Sequence, residues 1–293
     1  MAREFLTGEE LTSEELVALL DRGLELKAGR SIGEGGGALA GQSVALVFEK
    51  PSTRTRVSFE VGVAELGGTP LILRGDELQL ARGESVADTA RVLSRYVAGM
   101  VVRAGSDEVV RELAGAADVP VINGLTPDHH PCQALADLMT LRERFGELDG
   151  LRVAYVGDGN NVARSLALLG RRLGVEVAVA APEGYGLEPG VAAVDTAAPL
   201  EAAEGADAVY TDVWVSMGDE ADAKRRRADL APYQVNGDLL AAAAERAIVL
   251  HCLPAHPGEE ITEEVLYGGR SAVWDQAENR LHAQKALLEL LLG

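Results

Sequence analysis

Short apolar runs alternate with stretches of helical spacing along most of this chain. Val44-Ala45-Leu46-Val47-Phe48 is continuously apolar, the pattern of a strand buried on both faces. A helix over residues 54–66 is expected next. Short strands follow at 70–73, 99–103 and 119–123, with helices at 87–96 and 109–117 between them. Upstream, Thr12 and Glu15 have the spacing of a capping box, and Leu16, Leu19, Leu20 and Leu24 recur at helical intervals. A long helix over 134–145 ends at Gly146, and Gly150 precedes a second series: strands at 151–156, 176–180, 206–211 and 248–251, with a helix at 163–173. Residues 277–290 form an amphipathic helix, placed across the domain junction or as a plain terminal helix. The pattern predicts an α/β fold: two doubly wound parallel-sheet domains with a cleft between them. Their bounds are 1–145 and 146–275, and 276–293 is the C-terminal helix.

Ligands of such sheets bind outside the carboxyl ends of the strands. Six chemically loaded segments fall at predicted strand ends: 50–56, Arg103, 129–133, 157–161, 212–218 and 251–256.

Composition narrows the function. The chain has 293 residues, enough for two domains, and a formal charge of −19. That charge argues against a nucleic-acid or anionic-membrane partner. No apolar run reaches membrane-span length, and residues 1–11 lack a signal-peptide core. A cytoplasmic protein is expected. Its two cysteines, Cys132 and Cys252, lie far apart and suggest no disulfide framework.

Against this acidity, Ser52-Thr53-Arg54-Thr55-Arg56 sets three hydroxyls and two guanidinium groups in the first turn of a helix behind a buried strand. Helix N-termini, hydroxyls and arginine all bind phosphate oxygens. Capping alone would explain Ser52 but not the two arginines. Arg56 has a structural alternative, an ion pair with Glu84. Arg103 ends an apolar strand, where a charge must be paired or must reach a cleft; local sequence leaves both open. His129, His130 and Gln133 flank Pro131 at a helix entrance. They suit carbonyl recognition better than zinc, which wants more ligands at suitable spacing. Gly157-Asp158-Gly159-Asn160-Asn161 resembles the start of a dinucleotide fingerprint, but Val162 replaces its third glycine and no acid ends the next strand. The two asparagines instead offer amides for an amino-acid carboxylate. Asp212 supplies a carboxylate at a strand end. Residues 219–229 read as a charged, mobile loop. His251-Cys252-Leu253-Pro254 puts a thiol at another strand end, and Arg280 reads by default as one arm of a surface salt bridge.

Together these segments resemble the aspartate/ornithine carbamoyltransferase family over residues 48–280. Ser52-Thr53-Arg54-Thr55-Arg56 and His130-Pro131-Cys132-Gln133 are similar to its carbamoyl-phosphate motifs. Asp212-Val213-Trp214-Val215-Ser216-Met217-Gly218 and His251-Cys252-Leu253-Pro254 resemble its ornithine branch. The resemblance implies a carbamoyl-phosphate-binding domain at 1–145, an ornithine-binding domain at 146–275 and a homotrimer or multiple of trimers. It implies that Ser52, Thr53, Arg54 and Thr55 hold the phosphate, and that Arg103, His130, Gln133 and Arg280 hold the carbamoyl group. Gln79 would reach a neighbouring subunit's site, although the Leu80-Ala81-Arg82-Gly83 stretch before Glu84 departs from the family pattern. Cys252 and Leu253 would complete the carbamoyl-phosphate set near the attacking amine. Asn161, Asp212, Ser216 and Met217 would hold ornithine. Arg103, His130, Thr55 and Cys252 would be catalytic, with neither cofactor nor metal required. The implied reaction is carbamoyl transfer from carbamoyl phosphate to the δ-amine of L-ornithine, giving L-citrulline. Three alternatives remain: transfer to another amine (putrescine, an acylated ornithine or aspartate), a dinucleotide-binding oxidoreductase built on the Gly157 turn, and a silent assembly subunit.

Overall fold

The computed structural model describes residues 3–30, 37–75, 77, 83–216 and 220–293. These fall into two compact units, Met1–Met139 with Asn279–Gly293, and Thr140–Glu278. Gly146 ends a helix, as its sequence suggests, but the packing changes six residues earlier, inside that helix. The last fifteen residues group with the first unit. Among the described residues, no helix is long and apolar enough to cross a membrane.

The first unit begins with helix α1 (Ser13–Arg30), opened by the expected capping box. Glu15 N–H donates to Thr12 Oγ1 at 3.2 Å, and Thr12 N–H to the Glu15 carboxylate at 2.9 Å. The alternation that follows is β1 (Ser43–Phe48), α2 (Arg54–Glu65), β2 (Thr69–Arg74), α3 (Val86–Leu93), β3 (Gly99–Arg103), α4 (Asp107–Ala116) and β4 (Val121–Leu125). Helix α5 (Pro131–Phe145) comes next. All strand pairs are parallel, in the order β2-β1-β3-β4. Because helices cover both faces, β1 is buried along nearly its whole length and β3 up to its last residue. Ala45, Val47, Met100 and Val102 pack on one face with Ala90, Val110 and Leu113 from α3 and α4. From β1 the chain builds β2 on one side and then returns to build β3 on the other. The order therefore reverses between β1 and β3.

The second unit repeats the scheme with β5 (Arg152–Val156), α6 (Asn161–Arg172), β6 (Glu176–Ala180), β7 (Val194–Thr196), α7 (Pro199–Ala203) and β8 (Ala208–Thr211). It continues with α8 (Ala223–Leu230), α9 (Gly237–Ala242), β9 (Ile248–His251), α10 (Glu263–Leu266) and α11 (Val273–Leu292), the last running on into the first unit's residues. Its parallel sheet has the order β7-β6-β5-β8-β9, reversing between β5 and β8. Strand β7 and helix α7 were not expected from the sequence. The charged stretch read as a mobile loop is instead a 3-10 turn (Glu220–Asp222) followed by α8. Arg227 in it pairs with Glu259 at 2.9 Å, and Arg226 with Asp158. Two predicted site residues, Gln79 and Met217, lie outside the described residues.

Gly157 follows β5 with φ +123°, where an added Cβ would sit 3.4 Å from Thr211 Oγ1 and Trp214 Nε1. Its mirror-image backbone is open to glycine and strained for other residues. Gly157→Ala should therefore lower unfolding stability by about 1–3 kcal/mol in urea titrations. A loss below about 0.5 kcal/mol, the range of an ordinary surface substitution, would contradict this.

Candidate active site

In the first unit, chemistry gathers where β1 and β3 part. The β1–α2 turn delivers Ser52, and the end of β3 delivers Arg103, whose Nη1 donates to Ser52 Oγ at 3.1 Å. Thr55 is buried in the first turn of α2, and its Oγ1 receives Arg103 Nη1 at 3.5 Å and Arg280 Nη2 at 2.7 Å. Arg280 also donates through Nη1 to Gln133 Oε1 at 2.7 Å. Gln133 is fixed in turn by Asp137, one helical turn on, through Nε2 at 2.7 Å. Sequence reasoning missed Asp137, although its i+4 spacing from Gln133 was a usable signal. Arg280 is 5% exposed, not the surface salt bridge its local sequence suggests. For Arg103, the structure favours the polar cluster: its partners include two hydroxyls at neighbouring strand and helix ends.

His130 is buried at the start of α5. Burial holds its pKa well below the ordinary histidine value, and the Arg280 and Arg103 charges push the same way. The imidazole is neutral at physiological pH, in a field set by two guanidinium groups. Burial pushes the neighbouring Cys132 thiol up to about 12 although Arg280 opposes the shift, so Cys132 stays protonated. Its Sγ donates to Asn123 O at 3.3 Å, a packing role.

Thr53 stands at the N-cap of α2 without spending its hydroxyl on a capping hydrogen bond. Arg54 and Arg56 are exposed on the first turn, and among the described residues neither makes an ion pair. The structural alternative, an Arg56–Glu84 ion pair, does not occur among the described residues, and Arg56 is exposed. The first-turn N–H groups, the two exposed guanidinium groups and the Thr53 hydroxyl form a helix end suited to an anion.

The second unit uses the same topological position. Asn160, after β5, donates through Nδ2 to Asp212 Oδ2, after β8, at 2.8 Å. The other carboxylate oxygen accepts Cys252 Sγ–H at 2.9 Å, from the end of β9. Asn160 Oδ1 caps α6 by accepting Val162 N–H at 2.9 Å and Ala163 N–H at 3.3 Å, and it also accepts Tyr155 O–H at 3.1 Å. Its amide is thus committed to the protein, which corrects the expectation that both asparagines are offered to a substrate. Asn161 begins α6 beside it, and Ser216 is half-buried beyond Trp214. Arg226 Nε donates to Trp214 O at 2.7 Å and its guanidinium lies over the Tyr185 ring, tying α8 to this segment. Leu253 follows Cys252 with φ +60°. Cys252 and Leu253 lie in the unit that carries Asp212.

Asp212, His251 and Cys252 each place a donor atom within 4.8 Å of the others. His251 has both ring nitrogens committed: Nδ1 accepts Leu253 N–H at 2.9 Å, and Nε2 lies 3.1 Å from the Glu260 carboxylate. A metal ion there would have to displace one of these bonds.

Two family models match the chain. The aspartate/ornithine carbamoyltransferase carbamoyl-P binding domain covers residues 3–143, and the Asp/Orn binding domain covers residues 149–291. The chain belongs to the aspartate/ornithine carbamoyltransferase family. Among its relatives, an ornithine carbamoyltransferase of Carboxydothermus hydrogenoformans is 52% identical, covering 99% of this chain and 98% of the relative. One from Acidothermus cellulolyticus is 54% identical, covering 100% and 97%. The solved ornithine carbamoyltransferase from Pyrococcus furiosus superposes with a TM-score of 0.95 at 49% identity, covering 100% of this chain and 98% of that one. Membership in the carbamoyltransferase family accords with the two doubly wound units and leaves the oxidoreductase alternative without support.

The neutral state of His130 has a measurable consequence. In the unfolded chain histidine takes up a proton below about pH 6.5. In the folded family member His130 resists it, so the unfolded state binds more protons as pH falls. Its contribution to stability is fully present above about pH 6.5 and is lost below it, with a slope of up to about 1.4 kcal/mol per pH unit. His130→Asn should flatten the fall in unfolding free energy between about pH 6.5 and 5. Parallel slopes in the two proteins would contradict the assignment.

Proposed function

We propose that this chain transfers the carbamoyl group of carbamoyl phosphate to the δ-amine of L-ornithine, giving L-citrulline and phosphate. The observation that carries this reading is the convergence of Arg103 and Arg280 on Thr55 Oγ1, at the root of a helix N-terminus suited to phosphate. The ornithine carbamoyltransferase names of relatives about half identical over nearly the full chain favour ornithine over aspartate as acceptor.

In this reading the leaving phosphate sits at the first turn of α2, held by Ser52, Thr53 and Arg54. The carbamoyl oxygen lies toward Thr55, Arg103 and neutral His130. Accepting from Arg280 leaves the Thr55 hydroxyl proton available to the substrate. Gln133, itself held by Asp137 and Arg280, takes the carbamoyl amide. As the δ-amine attacks the carbamoyl carbon, negative charge builds on the carbonyl oxygen, and groups already oriented by the protein stabilise it. The new C–N bond forms, the C–O bond to phosphate breaks, and the amine's surplus proton passes to the departing phosphate. Asp212 binds the α-ammonium group of ornithine, and Asn161 and Ser216 flank its carboxylate. An unperturbed amine of this type has a pKa of about 10, so binding away from water must favour its neutral form. Much of the acceleration then comes from positioning.

The enzyme acts as a homotrimer or a multiple of trimers, an assembly that the family resemblance supports. A cytoplasmic setting suits its two cysteines, neither of them in a disulfide.

Colorimetric citrulline assay with carbamoyl phosphate and ornithine should show turnover, and much less with putrescine, N-acetylornithine or aspartate. A faster rate with any of these would reject ornithine as the acceptor. Arg54→Ala should weaken carbamoyl-phosphate binding by about 2 kcal/mol or more, read by calorimetry. Asp212→Asn should raise the KM for ornithine far more than that for carbamoyl phosphate. An equal rise in both would contradict the division of substrates between the two units.

A further inference from the structure

Resting on the roles assigned above to Asp212 and Cys252, we propose that Glu260 is a positioning residue: it fixes the tautomer of His251 and through it the turn that holds Cys252 against Asp212.

Leu253 has φ +60°, a left-handed conformation that is strained for a non-glycine L-residue. Such strain persists where the surroundings over-determine it. Here the hold is visible. Leu253 N–H donates to His251 Nδ1 at 2.9 Å. A ring nitrogen that accepts carries no proton, so the proton of this imidazole resides on Nε2. Nε2 lies 3.1 Å from Glu260 Oε1, the acceptor that this tautomer needs. The same oxygen accepts His256 N–H at 2.5 Å. One carboxylate oxygen therefore clamps both ends of the 251–256 segment.

Both partners are buried, Glu260 fully, so no water competes for the ring. Glu260 is itself anchored by its main chain, where its carbonyl accepts Val235 N–H at 2.9 Å. His251 N–H donates to Gln276 Oε1 at 2.9 Å, which fixes the near end of the segment independently of the ring. Without an acceptor at position 260, the proton is free to move to Nδ1. Two donors would then face each other at Leu253, and the strained turn would lose its hold. Cys252, one residue earlier, would lose its fixed place 2.9 Å from Asp212 Oδ1.

Because both bonds go to one oxygen, Glu260→Gln can keep them through its amide oxygen, whereas Glu260→Ala cannot. The test is long-range ¹H–¹⁵N NMR of the labelled full chain, with His251 assigned by the resonances missing from His251→Gln. The wild type and Glu260→Gln should show the Nε2–H tautomer, and Glu260→Ala should populate Nδ1–H. In citrulline assays, Glu260→Ala should raise the KM for ornithine on the order of tenfold and leave that for carbamoyl phosphate unchanged, with Glu260→Gln close to wild type. Nδ1–H in the wild type, or an unaltered tautomer in Glu260→Ala, would overturn the proposal. Should Glu260→Ala fail to fold, Nδ1–H in folded Glu260→Gln would overturn it equally. Absence of citrulline formation by the wild type would reject the function while leaving the NMR result to decide the role of Glu260.

Discussion

Everything chemical in this chain depends on the reversal of strand order in each parallel sheet. At a reversal, adjacent strands send their connections to opposite faces, and their carboxyl ends are left uncovered. Each unit bridges its reversal with a side-chain hydrogen bond, Arg103 to Ser52 between β1 and β3, and Asn160 to Asp212 between β5 and β8. In each case one partner follows the first strand of the unit and the other ends the strand added on the opposite side. The shared architecture supplies position, and the residue types supply sign: cations and hydroxyls in the first unit, a carboxylate in the second.

The charge arrangement follows from cost. A chain of formal charge −19 repels phosphate as a whole, so an anion site has to be strongly positive locally. Exposed arginines alone would be screened by solvent. Burying Arg280 and half-burying Arg103 among hydroxyl and amide oxygens preserves their field, which adds to the larger effect of burial in lowering the pKa of His130. A neutral imidazole there adds a hydrogen-bonding group without adding a third buried charge. In the second unit, Asn160 and Cys252 fill one acceptor position on each Asp212 oxygen. That leaves the carboxylate oriented and still able to accept an ammonium group, since each oxygen has further lone-pair capacity.

Much of this was legible in the sequence, for identifiable reasons. Strands buried on both faces read as continuous apolar runs, so Ile248–His251 and Gly99–Arg103 were placed to the residue. Residues local to one strand end or helix start, such as Ser52, Thr55, His130 and Asp212, declared themselves by type and spacing. What stayed hidden depends on distant partners. Strand β7 has three residues and helix α7 five, too few to show a period. Helix α8, Ala-Lys-Arg-Arg-Arg-Ala-Asp-Leu, has no apolar stripe and is tied down by ion pairs to Asp158 and Glu259. Arg280 lies in a helix whose last fourteen residues return to the first unit, and nothing near it in sequence announces Thr55 or Gln133. Asn160 was read as a substrate ligand because its capping geometry exists only once α6 has formed.

The most direct test is a crystal structure with N-phosphonacetyl-ornithine, which joins analogues of both substrates and resembles the point at which they react. The account predicts its phosphonate on the first turn of α2, against Ser52, Thr53 and Arg54, and its amino group on the Asp212 carboxylate. A phosphonate bound elsewhere, with that helix turn left to solvent, would contradict it.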